Sequence, residues 1–264
     1  MIKFVIITAA SLFGLYIFML ALLYLLQEKL LFSPVKLPED YKFSFTYTYT
    51  ETWFKTENNG RINALYFRKP DPKGIVIYHH GNAGNLQGWA NIAENFLQYN
   101  YDVFIYDYRQ FGKSTGHFNE ENLLNDALIL SNKVAEEYKG KKMIIYGRSL
   151  GSAMALYASK TVNPDLIILE TPFYDLPDVA LAHYPLVPVF LLRYNLPNHK
   201  YLAFSKCPVI IFHGDKDDLV PLSSAKKLAK VDKIRTEFHV IPSGKHNGLR
   251  HSEIYKSVLD KILR

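Results

Sequence analysis

Six short apolar runs constrain this chain most. They fall at 74–78, 101–106, 143–146, 166–169, 209–212 and 237–241. Each is nearly continuous in apolar residues and too short for a helix, as expected of a strand covered on both faces. Segments with helical spacing, at 86–98, 120–138, 149–160 and 223–230, separate most of them. This alternation predicts an α/β fold: a mostly parallel sheet with helices on both faces. Ahead of it, β-forming stretches at 47–54 and 62–68 flank Asn58-Asn59-Gly60 and predict a hairpin.

The amino-terminal segment sets a second constraint. Residues 4–26 contain no charge and no proline. As a helix of about 1.5 Å per residue they reach about 34 Å, enough for a hydrocarbon core of about 30 Å. The run exceeds the apolar region of a signal peptide, about 7–15 residues, and no small-x-small cleavage site closes it. The expectation is a single-pass membrane anchor over residues 1–27, a tether marked by Pro34 and Pro38, and one α/β domain over 28–264. Lys3 before the span and Lys29 and Lys36 after it are too evenly matched to orient it. The habit of short anchors leans toward a globular part outside the cytoplasm.

Composition narrows the function classes. Apolar residues make up 48% and charged residues 21%, which excludes a disordered chain. The net charge of +6 is dispersed, so a nucleic-acid partner is not expected, while weak attraction to anionic lipid is compatible. The single cysteine, Cys207, excludes an internal disulfide framework and a cysteine-only metal cluster. The alternation breaks once, in an insertion at about 172–206 that carries Pro172, Pro177, Pro185, Pro188 and Pro197. It reads as a proline-broken pair of helices capping the core. It also reads, compatibly, as a small lid that lines an apolar substrate pocket and faces the membrane.

The chemistry centres on Gly147-Arg148-Ser149-Leu150-Gly151. Three fixed positions arise by chance in roughly one chain in ten at ordinary glycine usage. The context adds the weight: an apolar strand precedes the motif and an alanine-rich helix follows, the strand–turn–helix of a nucleophile elbow. Ser149 is the candidate nucleophile, with the Leu150 amide aimed at a developing oxyanion. A second donor is expected from His79-His80-Gly81-Asn82-Ala83-Gly84-Asn85, with Asn82 preferred and Ala83 second; an ordinary βα turn is the alternative. A serine needs a base, and the base an orienting acid. Asp215, Asp217 and Asp218 follow the fifth apolar run, and Asp217, mid-turn, is the choice; the other two read as turn and capping groups. After the last run stands His246, in a loop, as the base. His80 and His213 read as strand-end histidines bonded to backbone.

These motifs together, with Asp107-Tyr-Arg-Gln-Phe-Gly112 and Glu170-Thr-Pro-Phe173, resemble the α/β-hydrolase superfamily over about residues 28–263. Within it the chain is similar to the small membrane-anchored branch of α/β-hydrolase-domain proteins. The resemblance implies Ser149, Asp217 and His246 as catalytic triad and a backbone role for Asn82. It departs at Gln110, where such proteins usually carry glycine; Arg109 reads as a structural hydrogen-bonding group. The expected function is a membrane-anchored serine hydrolase that cleaves ester or thioester bonds through an acyl-enzyme, without metal or organic cofactor. Lysophospholipids, acylglycerols and S-acylated proteins are the expected substrates. A serine peptidase, an acyl transferase and a non-catalytic membrane-bound interaction module are the alternatives.

Overall fold

The computed structural model describes residues 1–264. In chain order it contains α1 (Ile2–Leu31), β1 (Ser33–Pro34), β2 (Thr50–Thr56), β3 (Gly60–Phe67), β4 (Gly74–His79), β5 (Ala83–Gly84), α2 (Leu86–Trp89), α3 (Glu94–Leu97) and β6 (Tyr101–Tyr106). Then come α4 (Glu120–Glu137), β7 (Lys142–Arg148), α5 (Gly151–Val162), β8 (Leu166–Glu170), α6 (Leu176–His183), α7 (Asn198–Ala203), β9 (Val209–Gly214), α8 (Leu222–Ala229), β10 (Thr236–Ile241) and α9 (Glu253–Leu263). Eight strands form one sheet in the order β10-β9-β8-β7-β4-β6-β3-β2. The six apolar runs are its parallel strands, and β2 and β3 form the antiparallel hairpin at one edge. Asn58 and Asn59 take left-handed backbone in the hairpin turn, which asparagine tolerates well.

Alternating strand residues feed two cores. Ile75 and Ile77 of β4 join Leu123, Leu130, Ala153 and Leu156 from α4 and α5. Val76 and Tyr78 join Phe96, Leu97, Tyr255 and Leu259 from α3 and α9 on the opposite face. A two-residue period therefore reads out as two buried layers, which is why these strands carry almost no polar residues.

The segment expected as one helix over 86–98 is instead α2, a 3₁₀ turn at Ala90–Ala93, and α3. Gly88 and Asn91 weaken the helix there. The tightened turn brings Ala90, Ile92 and Ala93 all into the core. At Gln110 the backbone is left-handed, with φ at +67°, a conformation that favours glycine. Left-handed backbone costs a non-glycine residue about 1–2 kcal/mol, and glycine's greater freedom when unfolded returns part of that. Gln110→Gly should therefore stabilise the detergent-solubilised protein by about 0.5–1 kcal/mol in thermal unfolding.

The first helix is continuous from Ile2 to Leu31, four residues beyond the expected anchor boundary. Its apolar stretch has a mean hydropathy of 2.4, and none of that stretch is buried by the protein. Length and composition suffice for a membrane crossing. The chain leaving it pairs in parallel with the loop after β4, as Ser33 and Pro34 lie beside Ala83 and Gly84. In the 172–206 region lie α6, a 3₁₀ turn at Val189–Leu191, and α7.

Candidate active site

Sequence order reverses around β4, whose neighbours β6 and β7 lie on its two sides. Such a switch leaves a crevice at the carboxyl ends of the strands, the usual ligand position in open α/β sheets. The loops after β4, β7, β9 and β10 all leave from that edge. They carry Asn82, Ser149, Asp217 and His246 respectively.

Ser149 sits between β7 and α5 with φ at +50°, a strained position for a non-glycine residue. Its amide donates to the Glu170 carbonyl at 2.8 Å, and its own carbonyl receives the Ser152 amide at 2.9 Å. The turn works only because its flanks are small. A Cβ on Gly151 would lie 2.0 Å from the His79 carbonyl oxygen, and one on Gly147 would lie 2.7 Å from the Ala155 Cβ. Backbone cannot yield at such distances, so glycine is required where α5 crosses the end of β4.

His246 and Asp217 meet directly. His246 Nδ1 lies 2.9 Å from Asp217 Oδ2 and 3.1 Å from Oδ1. The aspartate side chain is fully buried. Its Oδ1 also accepts the amides of Leu219 at 3.0 Å and Val220 at 2.9 Å. Burial alone would raise this carboxyl; the hydrogen bond from His246 and its charge outweigh burial, and the pKa lies below the usual carboxylate value. Asp217 thus makes the turn bonds expected of its neighbours. Asp215 and Asp218 are exposed, and α8 begins without a side-chain cap, so the capping role expected there is absent. His213 is the strand-end histidine anticipated, 2.9 Å from the Val220 carbonyl and 3.4 Å from Asp217 Oδ2.

The loop after β4 is fixed from beneath. His80 is buried, with Nδ1 2.6 Å from the Gly81 carbonyl, and it receives the Tyr108 hydroxyl on its own carbonyl at 2.6 Å. Asp107 accepts the Leu86 amide at 3.0 Å. Arg109 spends its guanidinium on Asp126, Nε at 2.7 Å and Nη2 at 2.8 Å, and is structural as anticipated. The Asn82 side chain turns away from the crevice to the Leu31 carbonyl at 2.7 Å. Neither the Asn82 nor the Leu150 amide lies in a regular element or donates to a backbone carbonyl. Two free N–H groups therefore stand at this edge. No three His, Cys, Asp or Glu side chains converge as a metal centre would require.

One residue was not picked out from sequence. Arg148, next to Ser149, donates from Nη2 to the His246 carbonyl at 3.0 Å and to Asn247 Oδ1 at 2.5 Å. Its Nε donates to Glu170 Oε1 at 3.2 Å, and its guanidinium lies 4.7 Å from the Trp89 ring centroid. The Tyr146 hydroxyl, at 2.6 Å, holds the other Glu170 oxygen. This buried pair ties the histidine loop to the elbow across 98 residues. The signal was available: a charge ending a buried strand must be paired. Arg148→Met should leave kcat about 10–100-fold lower with KM little changed, since it loosens the histidine loop without touching substrate.

A family model described as serine aminopeptidase, S33 (Hydrolase_4), matches residues 70–203, half of the chain. The chain belongs to this α/β-hydrolase family. It is accordingly an enzyme of the serine-hydrolase class. A lysophosphatidylserine lipase, ABHD12 of Macaca fascicularis, is 27% identical over 254 residues, covering 86% of this chain and 64% of that protein. The uncharacterized protein YfhR of Escherichia coli is 28% identical over 227 residues, covering 82% and 77%. Among solved structures, an esterase of Pyrococcus furiosus superposes with a TM-score of 0.69 at 18% identity, covering 88% and 97%. A serine hydrolase of Xanthomonas campestris described as lacking a lid gives 0.62 at 14% identity, covering 84% and 95%. These superpositions establish that the α/β-hydrolase is built on the expected fold.

Proposed function

We propose that this α/β-hydrolase is a membrane-anchored serine hydrolase of lipid-like acyl esters, with Ser149 as nucleophile, His246 as base and Asp217 as orienting acid. The observation that carries it is the bond between His246 Nδ1 and Asp217, made at the sheet edge where Ser149 occupies a left-handed elbow. A carboxylate on Nδ1 holds the proton there and leaves Nε2 as the basic nitrogen. Ser149 Oγ attacks the acyl carbonyl as its proton passes to Nε2. The carbonyl oxygen becomes negative against the amides of Asn82 and Leu150, each worth about 3–4 kcal/mol to the transition state. The imidazolium then protonates the leaving alcohol or thiol, and water releases the acyl group by the same route. Residues 1–27 serve as anchor, 28–264 as the catalytic domain, and 172–206 as its lid.

An acyl ester is preferred because the curated relative ABHD12 is described as a lysophosphatidylserine lipase and the structural neighbour as an esterase. The aminopeptidase wording of the family model supports the second reading, a peptidase. A fluorophosphonate probe should label the wild type and leave Ser149→Ala unlabelled; absence of labelling in both would leave a binding module. A panel of lysophospholipids, acyl thioesters and aminoacyl anilides then ranks the substrates. Anilide turnover exceeding ester turnover would decide for the peptidase.

A further inference from the structure

The insertion and α1 meet along one stripe. Within residues 4–26 only Tyr16, Leu20 and Leu23 are partly covered, and Gln27 is buried next. Steps of four, three and four are one helix face. The Tyr16 hydroxyl donates to the Leu186 carbonyl at 2.7 Å. Gln27 Nε2 donates to the Leu191 carbonyl at 3.1 Å, and its Oε1 accepts the Arg193 amide at 2.8 Å. Glu28 closes the seam, 2.9 Å from Arg193 Nη2 and 2.9 Å from the Tyr194 hydroxyl.

This seam fixes a depth. Gln27, Glu28 and Lys29 end the uncharged stretch of α1 and so mark the membrane surface. Tyr16 lies eleven residues deeper, about 16 Å along the helix, against a half-thickness of about 15 Å for the hydrocarbon core. Leu186, bonded to Tyr16, therefore stands near the bilayer centre. Its surroundings suit that place. Residues 179–192 contain no Asp, Glu, Lys or Arg. Leu181, Tyr184, Leu186 and Phe190 are exposed, Leu186 by 79% and Phe190 by 82%. The backbone is prepared in part. Pro185 and Pro188 have no N–H to satisfy, the amides of Tyr184, Val187, Leu191 and Leu192 bond within the segment, and two carbonyls are taken by Tyr16 and Gln27. At its other end the segment reaches the catalytic loop, His183 Nε2 lying 3.0 Å from the carbonyl of Leu219, two residues past Asp217.

We propose that residues 181–192 dip into the bilayer beside α1 to about mid-depth, with the acyl chains of that leaflet as their partner, and deliver a single-chain acyl lipid from it to Ser149. The delivery rests on the hydrolase reading above; the insertion does not.

The full chain in phosphatidylcholine vesicles tests it. In Phe190→Trp, with the signal of Trp53 and Trp89 subtracted using the wild type, the added fluorescence should be quenched by lipids brominated along the acyl chain. Leu186→Trp, as a second site, should be quenched most by bromine placed deepest. Phe190→Asp should lower the ratio of long-chain lysophospholipid turnover to soluble short-ester turnover by about tenfold, which corresponds to about 1.4 kcal/mol. Tryptophans at both sites unquenched, in a protein that still hydrolyses the short ester, would overturn the insertion and leave the hydrolase standing. Quenching in a protein that no fluorophosphonate labels would sink the hydrolase and leave the insertion. An unchanged turnover ratio in Phe190→Asp would overturn the delivery.

Discussion

Ser149→Ala and His246→Ala should each lower turnover by about 10⁴–10⁶-fold, and the double variant should be no slower than either alone. The expectation follows from the shared step. Without the imidazole the hydroxyl keeps its proton, and without the hydroxyl the imidazole has nothing to deprotonate, so either loss removes the same event. Asp217→Asn should cost about 10⁴-fold, because an amide on Nδ1 favours the wrong tautomer. Rates of the three single variants and the double on one soluble ester check this, with circular dichroism confirming the fold. A double variant slower by the product of the two single losses would mean that the residues act separately.

Acid should begin to destabilise the protein from well above the carboxylate range. His79 and His80 lie side by side beneath the elbow, both buried, and burial holds their pKa values at about 3 and about 4. Folded, they stay neutral; unfolded, they take up protons near the ordinary histidine value of about 6.5. The unfolded chain thus binds more protons below that pH, so their contribution is complete above it and is lost as the pH falls toward 4. Asp107 acts in the opposite sense, since burial raises its pKa well above the usual value. One carboxyl retains at most one proton, whereas His79, His80 and His213 are all held below the ordinary histidine value by burial, so stability still falls as the pH drops from about 6.5 toward 4. Asp217, with its lowered pKa, adds to the loss only as the pH falls below about 3.8. Thermal unfolding of the solubilised protein at half-unit pH steps measures the slope; a flat profile from pH 6.5 to 4 would contradict the buried neutral pair. His79→Phe should make the slope shallower, by removing one of the refused protons.

Much of the fold was legible because its determinants are local. Each parallel strand announced itself by an apolar run whose residues feed two cores, as Ile75 and Val76 do on opposite faces of β4. The elbow was legible for the same reason: strand, turn and helix are contiguous, and Gly147 is demanded by atoms of that unit, although Gly151 is demanded by the His79 carbonyl of β4. The boundaries of α2 and α3 were not, since packing outweighed helical periodicity there. Position in the turn favours Asp217 over Asp215 and Asp218, whereas the fold distinguishes them by what each carboxylate touches: Asp217 meets His246 and the other two are exposed.

Sequence by itself determined the element order, the apolar helix and the set of side chains able to do acyl-transfer chemistry, because hydrophobic period, glycine placement and chain order are properties of short stretches. Tertiary structure alone decided that Arg148 grips the carbonyl of His246, that Asp217 and His246 share a bond across 29 residues, and that Tyr16 meets Leu186 across 170. Such contacts depend on where a closed sheet edge brings distant loops. No periodicity encodes that distance, and only the packed chain sets it.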